Sequence, residues 1–356
     1  MIDSHTHLWK PEDVEGLNAI REAIGAERMG VASVADQRTV NDNPVLFAAK
    51  AQFPTRFHTF LGLDHAAHFS SGAISTPSLN EQVDRMIALG ADGMKLIETK
   101  PTHRKTVDIP IDSEYYEPAF SRAEEAGLPI LWHVADPEEF WDRDLIPGWA
   151  KEAGWAYDES FVLKEQLYTE VENVLIRHPG LRVIFAHFYF LSADLPRASA
   201  LFDRFPKAHF DLAPGVEMLY NMSRDPASAR EFFVRHADRI IFGTDSMGDQ
   251  KLDEAKSRAK MVTRWLESED EFGVDAGADA LLGESDEGII RGMRLPDDVL
   301  ARIYAGSFER LVGPAPKPQN HTLALEECRR IGREVEQLGG NTAVALGCIR
   351  RLEAIA

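Results

Sequence analysis

Short apolar or β-branched runs recur along the chain and alternate with longer amphipathic stretches. Eight of these runs predict strands. They are Met1–His5, Gly30–Ala35, Arg56–Asp64, Gly93–Glu98, Pro129–Ala135, Leu181–Phe188, His209–Ala213 and Arg239–Asp245. The stretches between them predict helices, and several end at a glycine, as helices commonly do. Strands that alternate with helices are typical of a parallel sheet, and eight such units can close an α/β barrel, (β/α)8.

Two parts of the chain depart from this alternation. Asp136–Ser160 contains three tryptophans and is too long for a plain connection after strand five, so we expect an ordered insertion over the mouth of the barrel. Glu269–Asp286 predicts an acidic loop, and Pro296–Val312 predicts a helix that closes the barrel. Residues 314–356 predict a proline-rich linker and a C-terminal helical extension, appended to a barrel domain of residues 1–313.

Composition narrows the class of protein. The chain has 356 residues, of which 44% are hydrophobic, and a formal net charge of -19. Such an acidic surface disfavours nucleic acid and anionic membranes, which leaves a small-molecule substrate as the expected partner. We expect no membrane span and no signal peptide, because the chain has no long apolar run and no basic start followed by one. The two cysteines, Cys328 and Cys348, make no disulfide framework, which favours a cytoplasmic location.

Polar side chains lie at or near the carboxyl ends of predicted strands. The two-residue period of a strand places His5 and His7 on one face of strand one. His133, His187 and Asp245 follow apolar residues of strands five, six and eight. Active sites of parallel barrels form at this end of the strands. Because imidazole and carboxylate suit Zn, Mn, Fe or Ni better than Ca or Mg, the pattern predicts a site for such a metal.

This pattern resembles the amidohydrolase superfamily. The local sequences IDSHTH, WHVADP, FAHF, RIIFGTDS and RIYAGSFERLVG favour its amidohydrolase-related branch, over residues 1–313. The resemblance implies a TIM barrel in which His5, His7, His133 and Asp245 bind a divalent metal. His187 would be a further ligand or an acid/base residue beside the metal. Zinc is the expected ion, with manganese, iron or nickel as alternatives, at one per chain; a homodimer is left open because such barrels often pair.

Strand four is the variable position of that superfamily, where some members bridge two metals with a carboxylated lysine or a glutamate. Here it reads GMKLIET, and alternation allows only one of Lys95 and Glu98 to face the interior. We expect Lys95 inside, as a substrate-binding cation or a carbamate ligand, with a lysine that reaches solvent as the alternative. His103 and Arg104 follow this strand and could bind a substrate carboxylate, or simply lie in a solvated loop.

Three functions follow from the resemblance. The first is metal-dependent hydrolysis of an amide, lactone or other ester, in which Asp245 moves the proton and His187 stabilises the oxyanion. The second is non-oxidative decarboxylation of an aromatic or unsaturated carboxylic acid. Such decarboxylases tend to carry an acid soon after the strand-six histidine, whereas here the first is Asp194. The third is a metal-binding barrel without turnover, against which the complete set of five polar residues argues.

Overall fold

Eight parallel strands, the last in two pieces, form the centre of the protein. The computed structural model describes residues 1–215, 217–274 and 288–355. The strands are β1 (Ile2–His7), β2 (Arg28–Ala32), β3 (Phe57–Gly62), β4 (Gly93–Thr99), β5 (Ile130–Val134), β6 (Val183–Phe185), β7 (Ala208–Asp211) and β8, in two pieces (Ile240–Ile241 and Ser246–Met247). Each strand from β1 to β8 pairs with the next in chain order. The predicted α/β barrel is confirmed, and its strands are almost wholly buried because helices cover the outer face.

Strand β8 closes the barrel because its two pieces pair with different neighbours. The first piece lies against β7, and the second lies against β1, with Thr6 opposite Ser246. The gap between the pieces contains Asp245, whose backbone is left-handed at φ 55°. The expectation of one unbroken strand over Arg239–Asp245 is therefore wrong, since the chain bends to change partners.

Strand β6 is also shorter than its apolar run predicts. The run Leu181–Phe188 predicts a continuous strand, but β6 ends at Phe185 and the chain enters a tight turn. Within this turn His187 adopts a left-handed backbone, with φ 55° and ψ 43°. Few residues other than glycine adopt this conformation, so the turn rather than strand alternation directs the His187 side chain.

Helices surround the strands. In the described part of the chain they are Val14–Ala23, Asn43–Gln52, Ala66–Phe69, Leu79–Leu89, Pro101–Val107, Glu117–Ala126, Gly148–Glu152, Lys164–Arg177, Leu195–Arg204, Met218–Ser223, Pro226–Arg235, Leu252–Glu267, Asp297–Ala301, Ser307–Leu311, His321–Gln337 and Ala343–Ile355. A π-turn, Arg302–Gly306, joins two of them into the predicted closing helix. None of these helices is both long and apolar enough to cross a membrane.

Two short antiparallel strand pairs complete the described structure. Ala35–Asp36 pairs with Val40–Asn41, and Glu271–Phe272 pairs with Ile290–Arg291. The second pair begins inside the predicted acidic loop Glu269–Asp286. Residues 275–286 of that loop lie outside the described residues.

The predicted C-terminal helical extension forms two helices, His321–Gln337 and Ala343–Ile355, and the segment before them is tied to the barrel. The main-chain N–H of Lys317 donates to Asp92 Oδ1 at 2.8 Å, and that of Asn320 donates to the Leu89 carbonyl at 3.1 Å. Gly90 lets the two segments approach, because a Cβ there would collide with the Pro318 carbonyl oxygen. This proline-rich segment is thus a strap across the barrel surface.

Gly90→Ala is expected to destabilise the protein by about 2–4 kcal/mol, measured by urea unfolding. Gly90 combines a left-handed backbone, φ 81°, with the close contact to the strap. Gly25→Ala is the matched control, since Gly25 has φ 71° and open space around it. That control should cost only the backbone strain, about 1 kcal/mol. Equal losses for the two variants would contradict the close contact.

Candidate active site

Three side chains converge at the carboxyl end of the barrel. His5 Nε2 and His7 Nε2 lie 3.1 Å apart, and Asp245 Oδ1 lies 3.3 Å from the His7 nitrogen and 3.7 Å from the His5 nitrogen. A tetrahedral zinc site with bonds of about 2.0–2.1 Å has ligand atoms about 3.3–3.4 Å apart. The spacing of these three atoms therefore fits one divalent ion.

The second ring nitrogen of each histidine completes this fit. His5 Nδ1 lies 2.9 Å from Asp211 Oδ2, and His7 Nδ1 lies 2.9 Å from the Ala32 carbonyl oxygen. Because an oxygen acceptor holds the ring proton on Nδ1, each Nε2 presents a lone pair to the centre. Burial, aided by the charge of Lys95, holds the pKa of His5 well below its usual value, which favours the neutral ring that a metal requires.

Asp245 supplies the negative charge of the group. Burial opposes its ionisation, but the nearby rings of His7 and His5 hold its pKa well below the ordinary value. Its left-handed backbone is stabilised by the main-chain N–H, which donates to the His5 carbonyl at 2.8 Å. Strained non-glycine residues of this kind concentrate at functional sites. The carboxylate borders a cavity and is therefore within reach of a substrate.

Lys95 faces the barrel interior, as expected, and does not reach solvent. Its Nζ lies 3.1 Å from His5 Nε2, and the residue is 2% exposed. Burial lowers its pKa to about 8, against the opposing effect of nearby carboxylates such as Asp245. A protonated Lys95 would repel a metal held by His5, whereas a neutral amine or a carbamate would not. Glu98 faces away from this group and binds His65, with 2.9 Å between Oε1 and Nε2.

His133 and His187 lie beside the three-residue group rather than within it. Their ring centroids are 4.9 Å apart, and that of His187 is 5.3 Å from that of His5. His187 Nδ1 lies 3.1 Å from the Ala213 carbonyl oxygen, and His133 Nε2 lies 3.2 Å from Asp136 Oδ1. These contacts leave His187 Nε2 and His133 Nδ1 as the nitrogens with lone pairs. Their role as metal ligands stays a prediction.

Two buried aspartates support the site. Asp3 accepts hydrogen bonds from the Thr244 N–H at 3.0 Å and its hydroxyl at 2.6 Å, and so joins β1 to the segment before Asp245. Asp211 holds His5 and also accepts the His187 main-chain N–H at 2.8 Å. The sequence signal for this role is the place of Asp211 at the carboxyl end of β7.

A cavity of about 640 Å³ opens beside the three-residue group, and His133, His187 and Asp245 all border it. As expected, the insertion after β5 covers it, with Phe140, Trp149 and Trp155 in its wall. The barrel contributes Phe190 and Met247. The cavity is therefore largely apolar away from the polar group at its base.

The cavity wall contains a buried ion pair that the sequence pattern does not predict. Lys100 Nζ lies 2.7 and 2.6 Å from the two oxygens of Asp136 and 4.2 Å from the ring centre of Trp155. The Tyr157 hydroxyl also donates to Asp136. Despite burial, the charge of Lys100 holds the pKa of Asp136 well below its usual value. The only signal was the position of the two residues, each just after a predicted strand.

His103 and Arg104 do not line this cavity. They belong to the helix Pro101–Val107, so the expectation of a solvated loop is wrong. Arg104 is 5% exposed, with its Nε 3.5 Å from Glu170 Oε2. His103 borders a separate cavity of about 140 Å³. The structure thus provides no support for either residue as a carboxylate receptor at the main cavity.

Comparisons with known proteins agree with this architecture. Residues 2–306 match the sequence model of the amidohydrolase family. An uncharacterised TIM-barrel protein from Bordetella bronchiseptica shares 14% identity, with a TM-score of 0.53 over 87% of this chain and 98% of that one. 5-Carboxyvanillate decarboxylase from Sphingomonas paucimobilis shares 12% identity, with a TM-score of 0.51 over 88% of this chain and 98% of that one. A probable 2-pyrone-4,6-dicarboxylic acid hydrolase from Acinetobacter baumannii shares 12% identity, with a TM-score of 0.50 over 88% of this chain and 98% of that one.

These solved structures establish the fold that the chain shares with them, since fold similarity at such identities does not carry chemistry. A search of curated protein sequences finds no match.

Proposed function

Because the chain belongs to the amidohydrolase family, we propose that it is a metal-dependent hydrolase of an amide, lactone or other ester of a small molecule. The observation that carries this proposal is the convergence of His5 Nε2, His7 Nε2 and the Asp245 carboxylate beside the cavity, with the other ring nitrogen of each histidine held by an oxygen. His5, His7 and Asp245 would hold the ion. Zinc suits this donor set, and manganese, iron and nickel are alternatives.

The residues around the group have defined tasks in such a hydrolysis. A divalent metal held there would polarise the scissile carbonyl and ionise a water near neutral pH. Asp245, ionised and at the cavity, would take a proton from the attacking water and deliver it to the leaving group. His187 has its Nδ1 against the Ala213 carbonyl, so its Nε2 could donate to an oxyanion only when the ring is protonated.

Decarboxylation is the second candidate, since one of the similar structures is a decarboxylase and another is a probable hydrolase. The position of Asp194 favours hydrolysis. Its carboxylate accepts the Arg197 main-chain N–H at 3.0 Å, at the start of the helix Leu195–Arg204, and does not border the cavity. No described acid therefore follows the His187 turn closely enough to serve as the proton donor that the decarboxylases tend to carry there.

Metal content and reaction type can be measured on one preparation, purified without added metal or a chelating tag. We expect about one ion per chain by mass spectrometry, and hydrolysis of esters, lactones or amides that a chelator abolishes and zinc restores. Release of CO₂ from aromatic carboxylates without any hydrolysis would favour the second candidate. Metal without turnover would favour the non-catalytic barrel, and no metal with no rescue would overturn the metal site.

A further inference from the structure

We propose that the main cavity selects an aromatic substrate that carries no negative charge away from the bond to be cleaved. This inference rests on the proposed hydrolysis and concerns the part of the substrate that hydrolysis leaves unchanged. Phe140, Trp149 and Trp155 line the cavity from the insertion, and Phe190 lines it from the turn after β6. Aromatic walls of this kind favour a flat ring, which they contact by stacked or edge-to-face packing.

The cations in the described wall of the cavity are already engaged. Lys100 Nζ lies within 2.7 Å of both oxygens of Asp136, so its charge is neutralised at short range. Arg258 is 2% exposed and donates to the main-chain oxygens of Thr244 and Asp245. A substrate carboxylate in the outer cavity would therefore have to displace an existing partner before it gained a cation.

The remaining charges of the described wall are negative. Asp249 and Glu254 both border the cavity, and Glu254 pairs with Lys251, whose side chain is 85% exposed. A substrate carboxylate would lose its hydration against aromatic rings and face like charge, both of which weaken binding. An uncharged ring meets neither cost. The charge arrangement therefore sets specificity. Lys100 and Asp136 form the masking pair, in which Asp136 neutralises the cation that would otherwise bind a substrate anion.

Matched ligands test this directly. Phenyl acetates with a para-carboxamide or a para-carboxylate share one reactive ester, and we expect kcat/KM to favour the carboxamide by at least about tenfold. Benzamide and benzoate have nearly the same shape, and their dissociation constants can be followed by tryptophan fluorescence without turnover. They are titrated into zinc-loaded and chelator-treated protein, because a carboxylate can also ligate the metal itself.

Variants of the masking pair provide the second test. Asp136→Asn removes the carboxylate that neutralises Lys100, and should lower the preference for the uncharged ligand by about tenfold. Tyr157→Phe is the control, since it removes a hydrogen bond to Asp136 but keeps the ion pair. The preference of this variant for benzamide over benzoate should differ from that of the wild-type protein by less than about threefold. Circular dichroism and thermal melts establish that both variants fold.

The outcomes separate this inference from the proposed function. Equal or tighter binding of benzoate to the chelator-treated wild-type protein would overturn the inference, whichever reaction the enzyme performs. Preferred binding of benzamide without cleavage of any ester, lactone or amide would support the inference and overturn the proposed hydrolysis. An unchanged preference in folded Asp136→Asn would overturn the masking role of the ion pair.

Discussion

His7→Ala is expected to remove the metal and abolish hydrolysis while the barrel stays folded. His7 Nε2 is one of the three converging donor atoms, and its Nδ1 lies 2.9 Å from the Ala32 carbonyl oxygen. Loss of a residue that merely orients a ligand costs about 10–100-fold in metal affinity, so loss of the ligand should cost more than about a hundredfold. Metal per chain by mass spectrometry, the hydrolysis rate and circular dichroism measure the three consequences.

His209→Ala is the matched control for that variant. His209 also belongs to a barrel strand, but it lies near the amino end of β7, where its Nδ1 is 3.3 Å from the Val183 carbonyl oxygen. Its replacement should leave metal content unchanged. Asp245→Asn keeps the size of the third donor but removes its charge, and should weaken metal binding and stop proton transfer together. A folded His7→Ala protein that keeps both metal and activity would show that the proposed site is wrong.

Arg330→Ala is expected to cause the largest loss of stability, about 3–5 kcal/mol in the free energy of unfolding. Arg330 lies on the helix His321–Gln337, and its guanidinium is 2.6 Å from a carboxylate oxygen of each of three acids. These acids are Asp64, Glu327 and Glu334. The arginine side chain is only 16% exposed. Its removal takes the shared cation from three neighbouring carboxylates where the C-terminal helices meet the barrel, although Glu327 keeps Arg85 at 2.8 Å.

Arg329→Ala is the control, because it changes the same residue type one position earlier on the same helix. Arg329 pairs with Glu353 at 2.7 Å, but the two side chains are 49% and 48% exposed. Such surface pairs contribute about 0–1 kcal/mol. Urea unfolding of both variants gives the comparison. Similar losses would show that the three acids relax into solvent and that the buried network does not hold the C-terminal helices.

The alternation of side chains within a strand was enough to predict that His5 and His7 lie together at the centre of the candidate site. The two-residue period of β1 places His5 and His7 on one face, and the structure brings their Nε2 atoms within 3.1 Å of each other. The same alternation separated Lys95 from Glu98, and the structure places Lys95 inside and Glu98 against His65. These predictions succeed because the direction of a strand side chain depends on its own backbone and on which face is buried.

Local pattern failed where the backbone leaves regular geometry. An apolar run predicts that a segment is buried, but it carries no information on the turn that begins at Ala186 or on the break in β8. Both features occur where the chain exchanges strand partners or donates main-chain hydrogen bonds to distant residues. Asp211, for example, holds the main chain of His187. Such contacts form only when the barrel closes.

The chain by itself thus determined the barrel, the order of its strands and the polar residues at their carboxyl ends. Only the tertiary structure decided how those residues are protonated and which charges remain available to a substrate. Lys100 and Asp136 are 36 positions apart and belong to different strand ends, yet their pairing removes a cation from the cavity. The physical reason is that periodicity acts within one element, whereas neutralisation of a buried charge depends on the neighbours that folding brings to it.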